Sequence, residues 1–261
     1  MNPLFPLAAF FDLDGTLAEN NQPPAAADLE AIHAFQRAGN YAFLCTGRSR
    51  GYLYDAVFDI GFDGVITGAG ANITVGDRQV YRNFVSPSLI PLLVDVFADT
   101  KQVLVLETEQ TMVQVVSLYA GGLNRNYPRI HNSEEWMAGY SDHTVTKLTV
   151  YDRPMEPRAE QLLRQELDLI VHPHYYEAVP RGCSKSDGIR RVLEVIGVPQ
   201  ENTIAFGDSP NDTDMIRYAG LGVVMGNGET ELKALADRVT LPLSECGVAH
   251  VLWELLGGKP T

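Results

Sequence analysis

The sequence predicts an α/β protein: a doubly wound, mostly parallel sheet with helices on both faces, into which a smaller α+β domain is inserted. Three observations carry that prediction. Strand and helix signals alternate through the N-terminal third and again through the C-terminal third, a rhythm that implies parallel strands joined by crossover helices. Leu7–Leu13 is nearly all apolar, as a central parallel strand buried on both faces should be. The middle, from about Asn83 to Pro180, instead strings β-branched runs together in hairpin order, the pattern of an antiparallel sheet with helices on one side.

The elements follow in order. After the first strand, "AAADLEAIHAFQRAG" carries Leu29, Ile32 and Phe35 at helical spacing, Asp28 in the first turn and Gly39 as a stop. "YAFLCTGR" is a strand ending at Thr46, "FDGVIT" is a third strand, and "NITV" and "QVYR" form a hairpin about Gly76-Asp77. In the middle, "SPSLIPLLVDVFAD" reads as a helix, "QVLVLETEQTMVQVVS" as a hairpin turning at Thr108–Thr111, and "TVTKLTVYD" as a period-2 strand. "PRAEQLLRQELD" is helical and "LIVHPHYYEAV" gives two short strands. "SKSDGIRRVLEVIGV" then returns to an amphipathic helix, and "NTIAF" to a strand that runs into "GDSPNDTD". The expected boundaries are residues 1–83 and 181–261 for the core and 84–180 for the insertion, with linkers near Asn83–Ser86 and Ala178–Ser184. Such an insertion predicts a crevice in which a ligand binds.

Composition narrows the function. The 261 residues carry a net charge of −13, with 45% apolar residues. That charge argues against a nucleic-acid or anionic-membrane surface, which needs clustered Lys and Arg. Cys45, Cys183 and Cys246 are few, odd in number and scattered, as in a reducing compartment. The N-terminus has no basic region before its apolar run, and no stretch approaches the roughly 18 apolar residues of a membrane span. A cytoplasmic protein is expected. The sequence fixes no oligomeric state.

The chemistry lies where strands end. In open α/β sheets ligands sit beyond the carboxyl ends of the strands. "DLDGT" follows the first strand, "TGR" the second and "GDSPND" the later one, while Lys185 begins the helix after the insertion. Converged there, Asp12, Asp14, Asp208 and Asp212 cannot all ionise without compensation. A hard divalent cation supplies it, and oxygen-only ligands favour Mg²⁺; Lys185 adds a further positive charge. Such a site suits a phosphate monoester, whose two negative charges must be neutralised. Asp12 is placed to attack phosphorus. Asp14, two residues on, is placed to protonate the leaving alkoxide and then to activate water. Thr46 and nearby main-chain N–H groups bind the phosphoryl oxygens, and Gly15 and Gly47 allow close approach of the backbone.

"FDLDGTL", "TGR", "SKSDGI" and "GDSPNDTDM", in this order, resemble the four motifs of the haloacid dehalogenase superfamily. The position of the insertion resembles the type C2B cap of its Cof-like subfamily. The resemblance covers essentially the whole chain. It implies a Mg²⁺-dependent phosphatase acting on a small phosphorylated metabolite such as a sugar phosphate. In that role Asp12 is the nucleophile and Asp14 the acid/base, with the Asp14 carbonyl also on the metal. Thr46 binds the phosphoryl group with Gly47, Lys185 holds nucleophile and phosphate, and Asp208 and Asp212 ligate the metal. Asn211 lies near Lys185 and the phosphoryl site, and Arg48 is kept as a substrate contact. One departure stands out: the family's usual Asn after the third strand is Ala69 here, with Asn72 as a candidate replacement.

Other readings compete. A sugar phosphomutase would use the same aspartyl-phosphate, and a binding module would keep the fold without turnover. "DLDG" fails as a calcium loop, because Gly15 comes too early and Pro23 stands where the loop needs a Glu. "GAGANI" and "GLGVVMG" miss the third glycine of a dinucleotide fingerprint. His172 and His174 read as packed or solvated strand residues. Arg125, Arg129, Lys147 and Arg181 read first as solvated charges, Cys45 as packing, and Cys183 as a linker thiol open to solvent.

Overall fold

The computed structural model describes residues 2, 4–117, 123, 126–172 and 174–258. Arg125, a candidate for substrate contact, lies outside them. The chain forms two compact units. One comprises Met1–Gly47, Tyr54–Tyr81 and Ser184–Thr261; the other comprises Arg48–Leu53 and Arg82–Cys183.

In chain order the first segment contributes β1 (Ala8–Phe11), α1 (Ala26–Arg37), β2 (Tyr41–Cys45), α2 (Asp55–Phe58), β3 (Gly64–Thr67), β4 (Asn72–Val75) and β5 (Arg78–Arg82). The middle contributes α3 (Leu89–Ala98), β6 (Val103–Thr108), β7 (Met112–Val115), β8 (Arg129–Ile130), α4 (Ser133–Gly139), β9 (Val145–Tyr151), α5 (Pro157–Glu166), β10 (Leu167–Val171) and β11 (Tyr175–Pro180). The last segment adds α6 (Lys185–Ile196), β12 (Thr203–Gly207), α7 (Thr213–Tyr218), β13 (Leu221–Val224), α8 (Thr230–Lys233), β14 (Arg238–Val239) and α9 (Gly247–Leu255).

The first unit is built on an eight-stranded sheet in the order β14-β13-β12-β1-β2-β3-β4-β5. Pairs from β14 to β3 are parallel, and β4 returns antiparallel to β3. The central strand β1 is buried along its whole length, so its residues pack on both faces. Phe10 stacks on its register partner Phe43 of β2 at 5.1 Å, and Phe11 stacks on its register partner Phe206 of β12 at 5.0 Å. Cross-strand aromatic pairs of this kind fix register as well as adding packing energy. They lock β1, β2 and β12 together, so their three carboxyl ends lie side by side.

The second unit carries a six-stranded sheet, β10-β11-β9-β6-β7-β8, antiparallel except between β7 and β8. One face packs on α3, α4 and α5: Leu93, Phe97, Trp136 and Leu163 join Leu106 and Leu148 in one core. Alternation sends Glu107, Lys147 and Glu177 to the opposite face. Lys147 corrects the expectation of a solvated charge. It is 6% exposed, and its Nζ lies 3.1 Å from Glu107 and 2.7 Å from Glu177. A buried lysine needs such partners. His172 joins them, 3.0 Å from Glu177 and stacked on Tyr175, while His174 is exposed. Cys183 is buried rather than open to solvent. Among the described residues no helix is long and apolar enough to cross a membrane.

Candidate active site

The site assembles where β1, β2 and β12 end. Asp12 is the first residue beyond β1, and its N–H bonds to the Phe206 carbonyl of β12 at 2.9 Å, so the sheet ladder itself places this residue. Gly15 turns the chain with φ +79°. Gly207 ends β12, and Asp208 follows it.

Lys185 reaches this edge from the first turn of α6. Ser184 caps that helix, its Oγ accepting from the Asp187 N–H at 3.1 Å. The Lys185 side chain is 1% exposed; its Nζ donates to Asp12 Oδ1 at 2.7 Å and to Asp212 Oδ1 at 2.5 Å. The other oxygen of Asp212 accepts from the N–H groups of Asp208 (2.9 Å) and Ser209 (3.1 Å). Asp212 therefore ties Lys185 to the loop that carries Asp208. Oxygens of Asp12, Asp208 and Asp212 lie within 4.8 Å of one another.

Electrostatics follow from this crowding. Burial pushes the Asp12 carboxyl up to about 8; Lys185 opposes the rise, and Asp212 and Asp208 add to it. Burial and Asp212 push Asp208 up to about 7 against the pull of Lys185. Lys185 is raised as well: burial disfavours its charge, but Asp12 and Asp212 outweigh that and hold the ammonium firmly protonated. Three hard oxygen donors crowded this closely form a site one divalent cation fits, because its charge offsets their mutual repulsion.

Of the residues predicted from sequence, Asp12, Asp208, Asp212 and Lys185 come together. Asp14 is exposed on the turn beyond them, its charge felt by Asp208. Thr46 is buried at the end of β2, its N–H bonded to the Ile66 carbonyl and its own carbonyl accepting from the Ala69 N–H. Asn211 is exposed, with its Nδ2 3.6 Å from where a Cβ on Gly47 would stand. Arg48 belongs to the second unit, its guanidinium over the Tyr52 ring at 4.4 Å. Asn72 is buried on β4 and accepts from Gln79 at 2.9 Å. Sequence reasoning missed two supports. Thr16 is fully buried with its hydroxyl 3.5 Å from Asp208. Asn227 donates to the Gly15 carbonyl at 2.8 Å and accepts from the Leu243 N–H at 2.8 Å, holding the turn after β1. Only the Gly-Thr pair of "DLDGT" hinted at the first, and nothing local marks the second.

The sheet thus delivers a buried Asp12, a Lys185 bridge and an Asp208/Asp212 loop to one edge, a cluster of carboxylates and one ammonium whose charges suit a cation and an anionic ligand. Comparison with known proteins agrees. A family model described as haloacid dehalogenase-like hydrolase matches residues 9–252. The "Putative phosphatase YkrA" of Bacillus subtilis (strain 168) is 30% identical over 253 residues, covering 94% of this chain and 96% of that protein. The 5-amino-6-(5-phospho-D-ribitylamino)uracil phosphatase YcsE of the same organism is 26% identical, covering 92% of each. The solved structure of BT4131, described as a subclass IIB sugar phosphatase, superposes with a TM-score of 0.76 at 24% identity, covering 96% of this chain and 99% of that one. The chain belongs to the haloacid dehalogenase-like hydrolases, in their Cof-like branch, and is a phosphatase of that type.

Proposed function

We propose that this protein is a Mg²⁺-dependent phosphatase that hydrolyses the phosphate monoester of a small polyhydroxylated metabolite through an aspartyl-phosphate on Asp12. The observation that carries the reading is the Lys185 ammonium held between Asp12 and Asp212 at the carboxyl edge of the sheet. Asp12, Asp14, Asp208 and Asp212 are the residues that would hold the cation. Bound there, Mg²⁺ supplies charge neutralisation for the phosphoryl oxygens and for the crowded carboxylates.

The residues then divide the work. An Asp12 carboxylate oxygen attacks phosphorus, the ester P–O bond breaks, and the leaving oxygen takes a proton from Asp14. Asp14 next removes a proton from water. The resulting hydroxide attacks phosphorus, the bond to Asp12 breaks, and inorganic phosphate leaves. Exposure of Asp14 suits this duty, because the leaving oxygen and then the attacking water must both reach it. Thr46 and Gly47 bind phosphoryl oxygens, Asn211 stands beside them, and Arg48 contacts the rest of the substrate. The names of YcsE and BT4131 support a sugar or sugar-alcohol phosphate as the substrate class.

The test is inorganic-phosphate release from a panel of sugar and sugar-alcohol phosphates, with Mg²⁺ and with a chelator. Chelator-sensitive release that Asp12→Asn abolishes supports the reading. Isomerised sugar phosphate without free phosphate identifies a mutase instead. Ligand binding without turnover identifies a binding module.

A further inference from the structure

One further acid is engaged beside the proposed machinery. Asp214 stands in the first turn of α7, two residues after Asp212. Its Oδ2 accepts from the main-chain N–H of Ser186 at 2.7 Å. Ser186 directly follows Lys185. The entry to α7 therefore grips two adjacent residues of α6: Asp212 takes the Lys185 ammonium, and Asp214 takes the next amide.

We propose that Asp214 is a positioning residue that sets where the first turn of α6 lies and so where the Lys185 ammonium stands relative to Asp12. The proposal rests on the reading of Lys185 as the partner of a nucleophilic Asp12. A lysine side chain has four rotatable bonds, so its Nζ is only as well placed as the backbone that carries it. The Ser184 cap does not fix that backbone, because its bond to the Asp187 N–H lies within α6 and travels with it. Gly70 limits approach on one side: a Cβ there would lie 2.2 Å from the Ser184 carbonyl oxygen. Gly188 limits another, since its Cβ would meet Ile66 at 2.6 Å. Both are steric stops that prevent inward movement and do nothing against withdrawal. The Asp214 bond pulls, and it joins α6 to the same element that presents Asp212. A carboxylate accepting from an N–H at a helix start is also favoured by the helix dipole.

The test uses the full chain with Asp214→Ala, which removes the acceptor, and Asp214→Asn, which keeps an acceptor oxygen without the charge. Two readouts are taken. One is kcat and KM for phosphate release from the best substrate of the panel; the other is the ¹H–¹⁵N signal of the Lys185 ammonium. Small displacements of a reacting group cost on the order of 10- to 100-fold in rate. Asp214→Ala is therefore expected to lower kcat by that order with KM nearly unchanged, and to shift or broaden the Lys185 signal. Asp214→Asn is expected to restore both. Wild-type kcat and an unchanged Lys185 signal in Asp214→Ala would overturn the proposal. So would an Asp214→Asn variant as impaired as Asp214→Ala, which would assign the effect to charge. If the wild-type protein released no phosphate, the functional reading would fail separately. The Lys185 signal would still decide: displaced in Asp214→Ala and restored in Asp214→Asn supports positioning, and unchanged in both refutes it.

Discussion

Gly15 and Asp208 stand so close that a Cβ on Gly15 would lie 2.2 Å from Asp208 Oδ2. Gly15 also holds φ +79°, where a side chain is strained. Gly15→Ala therefore meets two penalties at once, and relieving the overlap must move the carboxylate of Asp208. The expected result is a loss of about 1–3 kcal/mol in urea unfolding, from the φ and overpacking costs. Phosphatase activity should fall at least tenfold alongside, and a variant that kept full activity would show that Asp208 can move without consequence.

Lys185→Met should separate charge from packing. It keeps a long apolar stem but leaves Asp12 and Asp212 without their ammonium. Breaking one partner from a buried ion pair costs about 3–5 kcal/mol. Thermal unfolding near neutral pH should show a large loss, and lowering the pH should recover part of it as the orphaned carboxyls take up protons. By contrast, Asp12→Asn should fold well, since Lys185 keeps Asp212, yet lose activity by orders of magnitude.

Ala69 offers a stabilising substitution. It occupies the left-handed region, φ 51° and ψ 44°, at the turn after β3, which costs a residue with a Cβ roughly 1–2 kcal/mol. Asn or Gly there should raise stability by about 0.5–1 kcal/mol in denaturant unfolding. The relief of strain also supplies a backbone reason for an Asn at this position.

Acid sensitivity should trace to Glu177. Burial raises its carboxyl, but Lys147 and the bond from His172 outweigh that and bring it down to about 2. A carboxyl depressed on folding contributes stability above its unfolded value, near 4.5, and loses it as pH falls toward 2. The contribution is on the order of 3 kcal/mol at most. The stability gap between wild type and Glu177→Gln should be widest above pH 5 and close between pH 4 and 2. A gap that stayed constant would remove Glu177 from the account.

Much of this site was legible because its chemistry sits at strand ends, and strands announce themselves. The apolar run into Asp12, the "TGR" after β2 and the "GDSPND" after β12 each mark a position on one sheet edge, and parallel order does the rest. What stayed hidden depends on contacts between segments far apart in sequence. Asn227 reaches back across the fold to the Gly15 carbonyl, and Asp214 finds an amide rather than another side chain. Neither leaves a local pattern. Lys147 was misread for a related reason: period-2 alternation puts it on one sheet face but does not reveal that Glu107 and Glu177 flank it on neighbouring strands.

The six residues Arg48–Leu53 form one compact body with a segment that begins only at Arg82. Gly51 presses on the β6–β7 turn so closely that a Cβ would lie 2.4 Å from the Thr111 nitrogen, and Tyr52 meets Tyr127 edge-on at 6.1 Å. A graft that moves residues 82–183 alone between relatives would cut along that seam. A chimera that carries the hexapeptide with its long companion keeps the seam whole; one that leaves it behind asks a foreign surface to accept it.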